Sequence, residues 1–197
     1  MKQTPSFPQS LRLGLAAAAL IVTGASAQAQ INGVSSVDVT QNNLDYFHLA
    51  EVLTFTSFNP DGNNLSLAGV ATATSSGFGS VPSDANDGNT NGDFGVGSVW
   101  HDGDANQGTI DTWTLTFSSP VSLGSVQLYG RTGCCVDRDN DITLTFRDAV
   151  GASLFSTTTG IPNDDQEIIV PVPEPSAFVL GALGTAGLAF LRRRRGA

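Results

Sequence analysis

Three groups of residues in this sequence have types and spacings that can do chemistry. The first is the run Asp84-Ala85-Asn86-Asp87-Gly88-Asn89-Thr90-Asn91-Gly92-Asp93, oxygen ligands bent by glycines, which suits a hard cation such as Ca2+. Counting from Asp87 reproduces the first half of an EF-hand loop. Ser98 then stands where the bidentate Glu belongs and no helices flank the run, so an EF-hand is rejected. An Asx-rich solvated loop fits the same composition. The second group is Arg131 and Arg138, with His101 upstream. Guanidinium forks and an imidazole can donate to the hydroxyls of a sugar; alternatively the arginines pair with Asp137, Asp139 or Asp141. The third is Cys134-Cys135. In an oxidising compartment these can join in a small ring that forms a rigid apolar knob, with free thiols or an intermolecular bridge as the alternatives. Spaced cysteine pairs of the zinc-binding kind are absent. His48, in Tyr46-Phe47-His48-Leu49, reads as a strand-surface residue. No spaced carboxylate pair, nucleophile with its base, or phosphate loop stands out, so the expectation is a binding protein and not an enzyme.

These residues must be positioned by strands. Between Ile31 and Val170 there is almost no helical periodicity, and short runs of Val, Thr, Leu and Phe alternate with Gly, Asn, Asp and Ser clusters. That pattern predicts an all-β sandwich or barrel. Expected strands are Tyr46 to Phe58 (broken), Leu67 to Thr74, Thr112 to Phe117, Ser125 to Tyr129, Ile142 to Phe146, Ser153 to Thr157 and Gln166 to Val170. The loop from Phe78 to Thr112 is long for a compact domain, and its composition favours disorder unless a ligand such as calcium orders it.

The two ends read as addresses. Residues 1–29 have a weakly basic start, an apolar core from Leu13 to Val22 and small residues at Ala25-Ser26-Ala27 or Ala27-Gln28-Ala29, as in a secretory signal peptide. In residues 171–197, Pro173-Glu174-Pro175 precedes an apolar stretch, Ala177 to Leu191, and then Arg192 to Arg195. A helix over that stretch would be a short single membrane anchor with its arginines held on the cytoplasmic side. Residues 31–170 remain as one domain. Setting aside Lys2, Arg12, Arg192 to Arg195 and Glu174 leaves three cations against seventeen carboxylates, a net charge of about −14. Such a domain has no means of neutralising a phosphate backbone, so nucleic acid is excluded as a partner.

The C-terminal tail resembles the PEP-CTERM sorting signal of Gram-negative, often biofilm-forming, bacteria. That resemblance implies an exosortase as processing partner, transient anchoring at the inner membrane, and delivery to the cell envelope or extracellular matrix. The stretch from about Leu67 to Phe146 is similar to the fucose-binding F-type lectins, in the discoidin or galactose-binding-like superfamily of jelly-roll sandwiches. It rests on an opening strand at Asn64 to Ser76, a calcium loop at Ala85-x-Asp87-Gly88-Asn89, His101 at the family spacing, and Arg131-x-Gly133-x4-Arg138 around paired cysteines. The resemblance implies that His101, Arg131 and Arg138 bond the hydroxyls and ring oxygen of a fucose or related glycan, and that a Cys134–Cys135 disulfide packs on its apolar face. It further implies Ca2+ held by Asp87, with Asp84 and Asn89 giving carbonyls and Ser98 its carbonyl and hydroxyl. The sequence departs from the family at Gly133, where an Asp is usual, and in the interval from His101 to Arg131. It also lacks room for the usual closing strand. Ala50-Glu51 would supply that strand's ligands from the N-terminal side, a circular permutation of the jelly roll.

Overall fold

The computed structural model describes residues 30–60, 62–96, 98–103, 109–135, 138–160 and 168–171, the last four by backbone alone. The expected signal peptide, the membrane segment and the Pro173-Glu174-Pro175 motif lie outside these. The strands are β1 (Ile31–Gln41), β2 (His48–Leu49), β3 (Glu51–Phe55), β4 (Val70–Ala73), β5 (Trp100–His101), β6 (Thr112–Leu123), β7 (Ser125–Tyr129), β8 (Ile142–Arg147), β9 (Ser153–Thr159) and β10 (Ile168–Pro171). A five-stranded antiparallel sheet runs β4-β6-β1-β8-β9, a three-stranded one β10-β7-β3, and β2 pairs with β5. The domain is all-β.

One apolar core takes side chains from both larger sheets. Val37 and Val39 of β1, Trp113 and Leu115 of β6, and Leu144 and Phe146 of β8 meet Val52 of β3 and Val126 and Leu128 of β7. The alternation in β6 and β8 is the cause, because successive side chains of a strand face opposite ways. Each of these two strands buries one apolar set and turns its threonines to the other, half-buried or exposed face, and burying an aliphatic or aromatic side chain contributes about 1.5–3 kcal/mol.

Three departures from the expected strands have local causes. β1 falls where no strand was expected. Asn32-Gly33 and Ser35-Ser36 break its alternation, and its register against β6 shifts between Ile31 and Val34 and again between Val34 and Ser36. β6 runs past Phe117 because Ser118-Ser119-Pro120 bulges outward within that shift, where a proline costs no ladder bond. The segment expected as a strand from Leu67 opens instead as a 3-10 turn, Ser66–Ala68, and only then becomes β4. Asn64 Oδ1 accepts bonds from the Ser66 N–H and hydroxyl, and these hold the turn.

The end of the sandwich where β1 and β7 finish and β8 begins carries the loops of interest. Gln41, fully buried, donates both amide hydrogens across this end, to the carbonyls of Tyr46 and Arg138, each at 3.1 Å. Both tryptophans use their ring N–H the same way: Trp100 on Ser76 Oγ at 2.9 Å and Trp113 on the Pro82 carbonyl at 2.8 Å. The core is thereby tied to the loops above it.

Candidate functional site

From Asp87 to Gly95 the long loop bonds side chain to its own backbone. Asp87, Asn89, Asn91 and Asp93 each accept, through Oδ1, the N–H two residues on, at 2.8 to 3.1 Å. This succession of Asx turns gives the described part of the segment a defined backbone path. The loop then docks on the chain leaving β7. Asp93 and Thr132 form a parallel bridge, and the Thr132 N–H bonds the Gly92 carbonyl at 2.8 Å. A Cβ at Gly92 would lie 2.3 Å from the Gly130 carbonyl oxygen and 2.9 Å from Thr132 N, so this approach requires glycine.

Of the expected metal ligands, Glu51, Asp87 and Ser98 come together. Glu51 opens β3 and is wholly buried; its Oε2 accepts the Gly88 N–H at 3.1 Å, while Oε1 has no hydrogen-bond partner. Asp87 Oδ2 accepts the Ser98 hydroxyl at 2.5 Å. Burial, with the Asp87 charge beside it, pushes the Glu51 carboxyl up to about 8. The Asp84 carboxylate accepts the Val81 N–H at 2.8 Å and the Asn89 side chain holds its Asx turn; neither bond uses the backbone carbonyls expected of these residues. Ala50 is buried and its N–H bonds the Tyr129 carbonyl at 2.8 Å. Among the described residues, no three side chains of His, Cys, Asp or Glu gather as a metal cluster.

The expected sugar-binding residues sit beside this loop, in a setting the sequence did not disclose. β2 and β5 pair with His48 opposite His101, which sets the two rings on one face, 4.2 Å apart and nearly perpendicular. His48 is fully buried, correcting its reading as a surface residue; the Phe47–Asp102 backbone bond and Asp139 close over it. Burial, reinforced by His101, Arg131 and Arg138, lowers the His48 imidazole to about 3. Asp139, whose Oδ2 lies 3.5 Å from His48 Nδ1, is raised well above the carboxylate range by burial. The His48 imidazole is therefore neutral at neutral pH, and the pair is not an ion pair there.

His101 is 4% exposed and ringed by Tyr46, Phe78 and Phe94 with centroids at 5.2, 4.4 and 5.6 Å. Its Nδ1 lies 2.7 Å from the Asp102 carbonyl and 3.2 Å from that residue's carboxylate. Arg131 lies over the Phe94 ring at 4.6 Å and Arg138 over Tyr46 at 5.3 Å, both within cation–π range. Arg138 also approaches Asp45 at 3.4 Å. Cys134 and Cys135 are bonded to each other, with Cys134 exposed. Gly133 takes φ +79° and Cys135 φ +65°, so the backbone between the arginines passes through the left-handed region that favours glycine. That is a physical reason for glycine at 133. Asp137 lies outside the described residues.

Sequence reasoning missed Phe78, Phe94 and Tyr46. Phe78 is 65% exposed and holds φ +55°, a conformation a bulky side chain rarely takes. Between Phe78 and Phe94 opens a cleft of about 200 Å3 whose polar lining includes Ser80, Asp84 and Ser98. The Phe78-Gly79 step, where a turn is called for and an aromatic stands, was the one available signal.

Among the described residues no helix is long and apolar enough to cross a membrane, and the expected anchor falls outside them. No curated protein and no solved structure matches the chain. Residues 171–195 match the PEP-CTERM protein-sorting motif. The chain thus carries a PEP-CTERM signal, which implies export, a C-terminus anchored in the membrane before processing, and an exosortase as the processing partner.

Proposed function

We propose that this exported domain is a calcium-stabilised carbohydrate-binding module of the envelope or matrix, built on a circularly permuted jelly roll. The observation that carries the reading is the pair of guanidinium groups, each stacked on an aromatic ring, around an exposed vicinal disulfide. Sugars are recognised by polar forks that take hydroxyls and by apolar faces that take C–H surfaces, and both kinds of group are present here. Two of the domain's three arginines serve this corner of a surface that is otherwise acidic.

The donor set fits a calcium ion. Glu51 Oε1 is a buried oxygen without a partner, and leaving a carboxylate so placed is costly unless a cation or proton joins it. Glu51, Asp87 and Ser98 would hold the ion, with backbone carbonyls of the Asx-turn loop completing a set of hard oxygens. Its part would be to neutralise the buried carboxylates and stiffen the loop that abuts Arg131.

The test is a glycan array probed with the purified protein, with and without calcium, beside an Arg131→Ala/Arg138→Ala variant. Fucosylated or related glycans bound by the wild type and lost in the variant are the expected result. One observation favours a second reading, a structural matrix protein of the same fold: His101 is almost fully enclosed and its Nδ1 is engaged by Asp102. A folded, calcium-responsive protein that binds no glycan would establish that alternative.

A further inference from the structure

Resting on the carbohydrate reading, we infer that the sugar it takes carries a carboxylate, a terminal uronate or a similar acidic residue, bound at Arg131. The three arginines of the domain are not equivalent. Arg147 Nε bonds Asp38 at 2.5 Å and Arg138 Nε lies 3.4 Å from Asp45. Arg131 meets no carboxylate among the described residues. Its Nε is buried without a hydrogen-bond partner, and its guanidinium lies over the Phe94 ring.

On so acidic a domain, a half-buried guanidinium that meets no carboxylate among the described residues can take one from a ligand. A buried donor left unmade costs about 1–3 kcal/mol, and a guanidinium pairs most strongly with a carboxylate that matches its planar fork. The neighbouring groups do not cancel the charge. Thr132, Gly133, Cys134 and Cys135 carry no acid, the Asp102 carboxylate is occupied by the Phe47 N–H and His101, and the Asp93 carboxylate accepts the Gly95 N–H. Phe94 joins this cation to the adjacent cleft, where Ser80, Asp84 and Ser98 present oxygens to hydroxyls. An acidic sugar ring has both requirements, a carboxylate for Arg131 and C–H and O–H surfaces for the cleft. The net charge of about −14 disfavours a long polyanion lying across the surface and leaves a single acidic end group as the ligand.

Titration calorimetry on the full chain in calcium, with D-glucuronate, D-glucose and acetate as separate probes, tests this. Glucuronate is expected to bind about tenfold or more tightly than glucose, and acetate weakly. Arg131→Gln should erase the preference for glucuronate with a melting temperature close to wild type. If that variant does not fold, Arg131→Lys keeps the charge and should retain a reduced preference. Glucose bound as well as glucuronate overturns the acidic-sugar inference and leaves the carbohydrate reading standing. Acetate bound as tightly as glucuronate makes Arg131 a general anion cradle and overturns the sugar class. Binding of neither sugar overturns both readings.

Discussion

Glu51 is the residue at which burial and charge pull hardest against each other. Its carboxyl is raised from 4.5 to about 8, so between those values the folded state keeps a proton that the unfolded chain releases. The unfolded state then binds fewer protons, and stability falls as pH rises. His48, lowered to about 3, has the opposite sign: it adds stability as pH climbs to 6.5 and nothing beyond. The Glu51 contribution is therefore read between pH 6.5 and 8. In chelator, the melting temperature should fall across that window, and Glu51→Gln should flatten the slope relative to wild type, whatever Asp139 adds to both. With calcium the wild type should recover stability at pH 8 and the variant should not. Equal slopes in wild type and variant would mean that Glu51 is ionised in the fold without metal.

At the scale of elements, the site depends on how the Asx-turn loop leans on the chain after β7. Gly92→Ala forces a Cβ against the Gly130 carbonyl and Thr132 N, and overpacking of this kind costs about 1–3 kcal/mol. The melting temperature should drop, and glycan binding should weaken more than the stability loss explains, because Phe94 and Arg131 separate. Unchanged binding in a destabilised protein would show that the loop contact serves only the fold. Elements were legible where alternation is clean, as in Trp113 to Phe117 and Ile142 to Phe146. β1 was not, since its bulged start hides the period and its buried end is Gln41, a polar residue kept inside by two carbonyls. The same division runs through the site. Arg131, Arg138, the cysteine pair and the acidic loop announce themselves by residue type. Tyr46, Phe78 and Phe94 do not, because an aromatic is ordinary core material until three loops bring it to one place.

For the whole molecule, charge is the governing quantity. Seventeen carboxylates and three arginines repel in the compact state, and salt screens that repulsion. The melting temperature in chelator should rise by a few degrees between roughly 20 and 500 mM NaCl. A flat or falling profile would mean that the pairs of Arg138 with Asp45 and Arg147 with Asp38 outweigh the long-range repulsion.

The position of β1 has a kinetic consequence. It is the first strand of the domain to leave the ribosome, yet it lies in the middle of the five-stranded sheet, between β6 and β8. Thr40 bonds Thr112, 72 residues away, and Asn42 bonds Thr143, 101 residues away. No partner for β1 exists until most of the chain has been made, and pairings over such distances are slow to form. During synthesis and export the early valines remain in water, and the chain stays threadable. Closure of the sheet is expected to wait for the last strands, and an exported chain then completes it where Cys134 and Cys135 meet an oxidant.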